Sequence, residues 1–150
     1  MIKKKKYSEI EGDLIYLFQK NNFDAIVHGA NCFNMMGAGI ALQIASTFKN
    51  AQKADNRTMI GDVRKLGNYT WAKYKYGYVI NAYTQYLGGA NLDYEALTLV
   101  LRKINHKFKG EHIGLPQIGC GIAGGDWKKV RKIIKRELKN CYVTVVIYKQ

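Results

Sequence analysis

Ile26-Val27-His28-Gly29-Ala30-Asn31-Cys32-Phe33-Asn34-Met35-Met36-Gly37-Ala38-Gly39-Ile40 is the segment around which the chain is arranged. Its start, Ala25 to His28, has the apolar run of a buried strand, and its end resumes as a helix carrying Ile40, Ile44 and Phe48 on one face. Between them lies a loop of small and amide residues that passes through Gly37-Ala38-Gly39. Glycines let backbone N–H groups approach an anion closely, and the following helix presents unpaired N-terminal amides and the positive end of its dipole. The segment therefore reads as a phosphate cradle that needs no charged side chain.

A second segment has the same character. Leu115-Pro116-Gln117-Ile118-Gly119-Cys120-Gly121-Ile122-Ala123-Gly124-Gly125-Asp126-Trp127 follows a short apolar strand and precedes a helix. Two cradles in a small domain point to one ligand with two or more phosphates.

The chain has 150 residues and 47% hydrophobic composition, enough for one core, so residues 1–150 are expected to form a single domain with a short basic N-terminal segment, 1–6. No apolar run reaches the ~18 residues of a membrane span, and the lysines near Met1 have no apolar stretch behind them. The expectation is a soluble cytoplasmic protein with no membrane partner. Cys32, Cys120 and Cys141 show no C-x-x-C spacing and are odd in number, which fits reduced thiols rather than disulfides or a zinc site. The net charge of +13 makes an anionic ligand or nucleic acid a fair expectation.

Elsewhere, Tyr7 to Glu11 alternates like a strand and stops at Gly12-Asp13, where Leu14, Leu17 and Phe18 begin a helix. Residues 50–57 read as polar loop, and residues 69–76 and 77–83 as a hairpin or neighbouring strands. Helical spacing runs from Asp93 to Phe108 and from Asp126 to Leu138, with Asp13, Asp93 and Asp126 as candidate N-caps. Short strands are expected at His112 to Leu115 and Cys141 to Tyr148. Strands alternating with helices imply a three-layer α/β/α sandwich with a central sheet.

Several phosphate chemistries lack their residues. No G-K-[ST] follows either glycine loop. The position six residues after Cys32 is Ala38 and that after Cys120 is Asp126, so neither cysteine has the arginine of a cysteine phosphatase. Leu42 stands where a dinucleotide fingerprint needs its third glycine. The histidines are scattered, and no metal or cofactor is indicated.

Glu11-Gly12-Asp13-Leu14, His28-Gly29-Ala30-Asn31-Cys32, Met36-Gly37-Ala38-Gly39-Ile40-Ala41, Pro116-Gln117-Ile118-Gly119-Cys120-Gly121 and Gly124-Gly125-Asp126-Trp127, in that order, resemble the macro domain family of ADP-ribose-binding proteins. The resemblance spans nearly the whole chain and is nearest to compact phage and bacterial members described as ADP-ribose-1″-phosphate phosphatases, to which the yeast phosphatase is similar. It implies a mixed central sheet and, for a phage-encoded chain, the host cytoplasm.

The resemblance also implies roles. Asp13 would accept from the adenine amine beside the Leu14 backbone, and Tyr148 would pack on adenine. Gly37, Ala38, Gly39 and Ile40 would hold one phosphate, and Ile118, Gly119, Cys120, Gly121, Ile122 and Ala123 the other. Asn31 would bond the distal ribose and act in catalysis with His28, whose titration range suits general acid/base work. Deglutamylating relatives carry a lysine and an aspartate where this chain has Ala82 and Ala123, which counts against ADP-ribosyl hydrolysis. The expected ligands are ADP-ribose and ADP-ribose-1″-phosphate, with release of inorganic phosphate from the latter. The alternative is a binder without catalysis. Nucleic acid on the basic surface is possible but not favoured, because no aromatics alternate with the charges of the last helix.

Overall fold

The computed structural model describes residues 1–148. Its elements run β1 (Ser8–Glu11), α1 (Leu14–Gln19), β2 (Ala25–Asn31), α2 (Gly39–Thr47), α3 (Lys49–Asn56), a 3₁₀ turn (Val63–Lys65), β3 (Tyr69–Tyr74), β4 (Gly77–Gln85), α4 (Tyr94–Lys107), β5 (His112–Leu115), α5 (Trp127–Glu137) and β6 (Tyr142–Ile147). One six-stranded sheet has the order β1-β6-β5-β2-β4-β3. All neighbours are parallel except the β3–β4 hairpin, so the sheet is mixed as expected.

The parallel strands are covered on both faces, which is why β2, β5 and β6 read as continuous apolar runs rather than alternating ones. One core packs Leu97, Leu101 and Ile104 of α4 and Val130 and Ile134 of α5 against Val27, Ile113 and Val145. The other packs Phe18, Ile44 and Phe48 from the α1–α3 side against Ile26, Val79 and Val146. Successive β2 residues alternate between these two layers, so the three-layer sandwich follows directly from the strand period.

The polar stretch at 50–57 corrects the loop reading: it is α3. Only Ala51 and Asp55 of that helix are buried, too few for a visible apolar stripe. Two external partners secure it. The Tyr74 hydroxyl accepts from the Asn50 and Ala51 amides at 3.0 and 3.3 Å, and Asp55 accepts from the Tyr83 hydroxyl at 2.8 Å.

The other caps fall where their sequence places them. Asp13, Asp93 and Asp126 each accept from an amide of the helix they precede. Among the described residues no helix is long and apolar enough to cross a membrane. Because β1, β6, β5, β2 and β4 run parallel, the segments that follow them open along one edge of the sheet, which is where open α/β sheets bind ligands.

Candidate functional site

The first cradle is an exposed turn leading into α2. Gly39, the first residue of that helix, sits at φ 56°, a left-handed conformation that favours glycine, and a side chain on Gly37 would meet no atom within 4 Å. Ala38 holds the N-cap position with no side-chain hydrogen bond, whereas α1, α4 and α5 are each capped by an aspartate. Among the described residues no side chain caps the first-turn amides of α2, as an anion site requires.

The second cradle is tied from within. Gly125 N–H donates to Gly119 O at 2.8 Å, Gly124 N–H to Gly121 O at 3.1 Å and Leu92 N–H to Ala123 O at 3.2 Å, closing a compact loop against the β4–α4 connection. A Cβ on Gly125 would lie 2.6 Å from Gly119 O, and one on Gly119, at φ 74°, would lie 2.7 Å from Leu92, so both positions are closed to side chains. A side chain on Gly121 would meet nothing within 4 Å. No acceptor among the described residues takes the amides of Gly121, Ile122 and Ala123. The exposed Ile122 side chain reaches toward Gly39, its Cδ1 4.0 Å from where a Cβ would stand, so the two loops face each other across one crevice.

Two expected contacts in this loop are corrected. Ile118 is buried under the loop beside Gly29, and its amide donates to Pro116 O at 2.7 Å. The Cys120 amide donates to Gln117 O at 3.1 Å, and its thiol lies 3.5 Å from Ile118 O. Burial, with Asp126 nearby, pushes that thiol up to about 11. The amides of Ile118 and Cys120 thus close the loop on itself rather than face outward.

At the β1 end, Asp13 is exposed and caps α1, accepting from Tyr16 N–H at 3.1 Å, while Leu14 behind it is buried. Tyr148 is exposed just beyond β6, next to the Gly12 amide that donates to Ile147 O. Both therefore border the same open edge. Asn31 ends β2 just past a register shift. Its Oδ1 accepts from Phe33 N–H at 2.9 Å and its Nδ2 donates to Met35 O at 3.0 Å, so its amide folds the loop that carries the first cradle. One lone pair and one N–H remain for a ligand.

His28 is elsewhere. It is fully buried in the α1–α3 layer, and its Nε2 lies 2.6 Å from Asn81 Oδ1. Asn81 donates through Nδ2 to Ala51 O and Thr70 Oγ1, so its Oδ1 is the acceptor and His28 carries its proton on Nε2. Burial pushes the imidazole down to about 4, outweighing the Asn81 bond. The expected proton transfer at the distal ribose is corrected accordingly: His28 is a neutral core residue out of reach of ligand. Its period-2 position, not its residue type, decides this. Ala82 is likewise fully buried, so no amine stands at that strand position.

The sequence reading missed what holds the first loop at the β4 end. Cys32 N–H donates to Tyr86 O and Gly61 N–H to Cys32 O, the Tyr86 hydroxyl donates to Gly61 O at 2.9 Å, and the Phe33 and Tyr86 rings meet edge-on at 5.0 Å. Asn34, at φ 56°, accepts from Lys65 Nζ at 2.7 Å and from the Thr58 hydroxyl at 2.9 Å. The ammonium is buried and also donates to Thr58. The only sequence signals were an asparagine tolerant of the left-handed region and glycine at 61. No cluster of three His, Cys, Asp or Glu that could hold a metal occurs among the described residues.

The macro domain family model matches residues 27–134, a span that takes in both cradles. An uncharacterized 17.5 kDa protein of Enterobacteria phage T4 from the tk-vs intergenic region is 35% identical over 146 residues, covering 91% of this chain and 93% of that one. Among solved structures, the macrodomain of Thermus aquaticus DarG superposes with a TM-score of 0.75 at 23% identity, over 96% of this chain and 98% of that one. Thermosipho africanus DarTG, solved in complex with ADP-ribose, gives 0.74 at 19% identity over 98% of this chain and 42% of that one. With its sheet order and its two cradles, this chain belongs to the macro domain family.

Proposed function

We propose that this protein binds ADP-ribose across the open edge of its sheet. Adenine would sit by Asp13 and Tyr148, the two phosphates on the amides at 37–40 and 121–123, and the distal ribose by Asn31. The observation that carries this reading is the facing pair of cradles with free amides, one at the uncapped start of α2 and the other in the loop closed by Gly119 and Gly125. A single phosphate would satisfy one cradle and leave the other solvated. Two linked phosphates use both.

Hydrolysis of ADP-ribose-1″-phosphate is the second reading, supported by the resemblance of the cradle motifs to those of ADP-ribose-1″-phosphate phosphatases and by Asn31 at the end of β2. With His28 enclosed, turnover would rest on positioning by Asn31 and the loops rather than on imidazole proton transfer. Calorimetric titration with ADP-ribose tests the binding reading, and phosphate release from saturating ADP-ribose-1″-phosphate tests the second. Binding without release identifies a reader of ADP-ribose. Release that survives His28→Gln identifies an enzyme working by positioning.

A further inference from the structure

The charge of +13 is distributed unevenly, and the fold explains how. Of the eleven acidic residues, Asp13, Asp62, Asp93 and Asp126 cap helical turns, and Asp55 is buried against Tyr83. Asp24 accepts from the His112 amide, Glu9 pairs with Arg131, and Glu137 lies buried between Arg102 and Arg136. Most carboxylates are thus engaged by helix caps or ion pairs, although Glu11, Asp13, Glu95, Glu111 and Asp126 remain exposed.

On α5 this produces a regular feature. Lys128, Lys132 and Lys135 follow i, i+4, i+7 and form one exposed stripe with a cation about every 5 Å along the axis, and the exposed Lys139 follows just past the end of the helix. Arg136 extends it, and the exposed Lys5 and Lys6 lie alongside, where the Lys5 carbonyl accepts from Val143 N–H and Lys135 sits over the Tyr7 ring. Like charges at i, i+4 weaken a helix, so the Lys128–Lys132 pair opposes α5's own stability, whereas Lys135 is favoured by its last-turn position and its contact with Tyr7. The apolar residues Val130, Ile133 and Ile134 are buried in the core, and Trp127 is half-buried under Arg131, so the face has no apolar edge to insert into a bilayer. The stripe starts at Lys128, two residues after Asp126 at the rim of the second cradle.

We propose that this face binds the sugar–phosphate backbone of nucleic acid, without reading bases. The inference does not depend on ADP-ribose binding. Its test is fluorescence anisotropy with a labelled 20-base-pair DNA duplex between 50 and 200 mM KCl. Four to six phosphate contacts give a slope of log K against log salt of about −4 to −5. The quadruple variant K128Q/K132Q/K135Q/K139Q should reduce that slope by about 3 to 4 and weaken binding at least tenfold at 100 mM KCl. A control, K49Q/K53Q/K73Q/K75Q, removes the same charge from α3 and from the β3–β4 hairpin at the far edge of the sheet and should change affinity less than threefold. Unchanged thermal melting of both variants shows that they fold. Equal losses in the two variants would mean that only net charge matters and would overturn the proposal. So would no binding at 50 mM KCl, or tighter binding to phosphatidylserine vesicles than to the duplex.

Discussion

The buried His28 gives the protein a stability that depends on pH in a calculable way. Its imidazole is held neutral in the core, donating from Nε2 to Asn81 Oδ1 at 2.6 Å, and burial lowers its proton affinity to about 4 from an ordinary value of 6.5. A lowered value in the folded state means that the unfolded chain takes up the proton first. The imidazole therefore costs no stability above about pH 7, and acid removes stability as pH falls from 6.5 toward 4. Integrating the shift gives a loss of about 2 kcal/mol at pH 5 and about 3 kcal/mol at pH 4 from this group alone.

His28→Gln isolates the effect, because the glutamine amide can still donate to Asn81 and does not titrate. Urea unfolding of both proteins at pH 8, 6, 5 and 4.5 should show the variant less stable by about 1 kcal/mol at pH 8, from imperfect packing. It should be the more stable of the two at pH 5. His112, also buried and also lowered by burial, is present in both proteins and cancels in the comparison. ADP-ribose affinity should differ by less than twofold. Parallel stability curves across this range would refute the reasoning, and a large loss of affinity in the variant would return His28 to the site.

Other substitutions probe the crevice. Gly39→Val should weaken ADP-ribose binding at least tenfold, since a β-branched residue at φ 56° costs about 1 to 2 kcal/mol and places bulk toward Ile122; Cys120→Ala, whose thiol lies against Ile118 O, should change it less than threefold by calorimetry. Asp13→Ser should keep the α1 cap, and so thermal stability, while weakening ADP-ribose binding; Asp13→Ala should lose both, the cap being worth about 1 kcal/mol. Gly125→Ala should lower the melting temperature and weaken binding together, because its Cβ would crowd Leu92 and Gly119 O and open the second cradle.

Much of this architecture can be read from residue order. Periodicity placed β2, α4, β5, α5 and β6 to within a residue or so of their ends apart from β2, which continues to Asn31, and the aspartate caps marked three helix starts. The cradles were visible because a left-handed turn before a helix needs glycine, and Gly39 and Gly119 supply it. Three things were not visible. α3 is held by Tyr74 and Tyr83 from other strands, and nothing local announces those bonds. The side of the sheet to which His28 points depends on where β2 begins, and a histidine at a strand end looks the same on either face. Ile118 and Cys120 sit inside the glycine-rich motif, yet the turn consumes their amides, and only coordinates separate an amide that faces a ligand from one that closes a loop.

The central claim is that two backbone cradles on one edge act together on linked phosphates. Calorimetry of the wild-type protein with ADP-ribose, AMP and ribose 5-phosphate under one buffer condition tests it most directly. The account predicts that ADP-ribose binds at least tenfold more tightly than either fragment, a difference of about 1.4 kcal/mol or more. AMP binding as tightly as ADP-ribose would show that the second cradle holds no phosphate and would contradict the account.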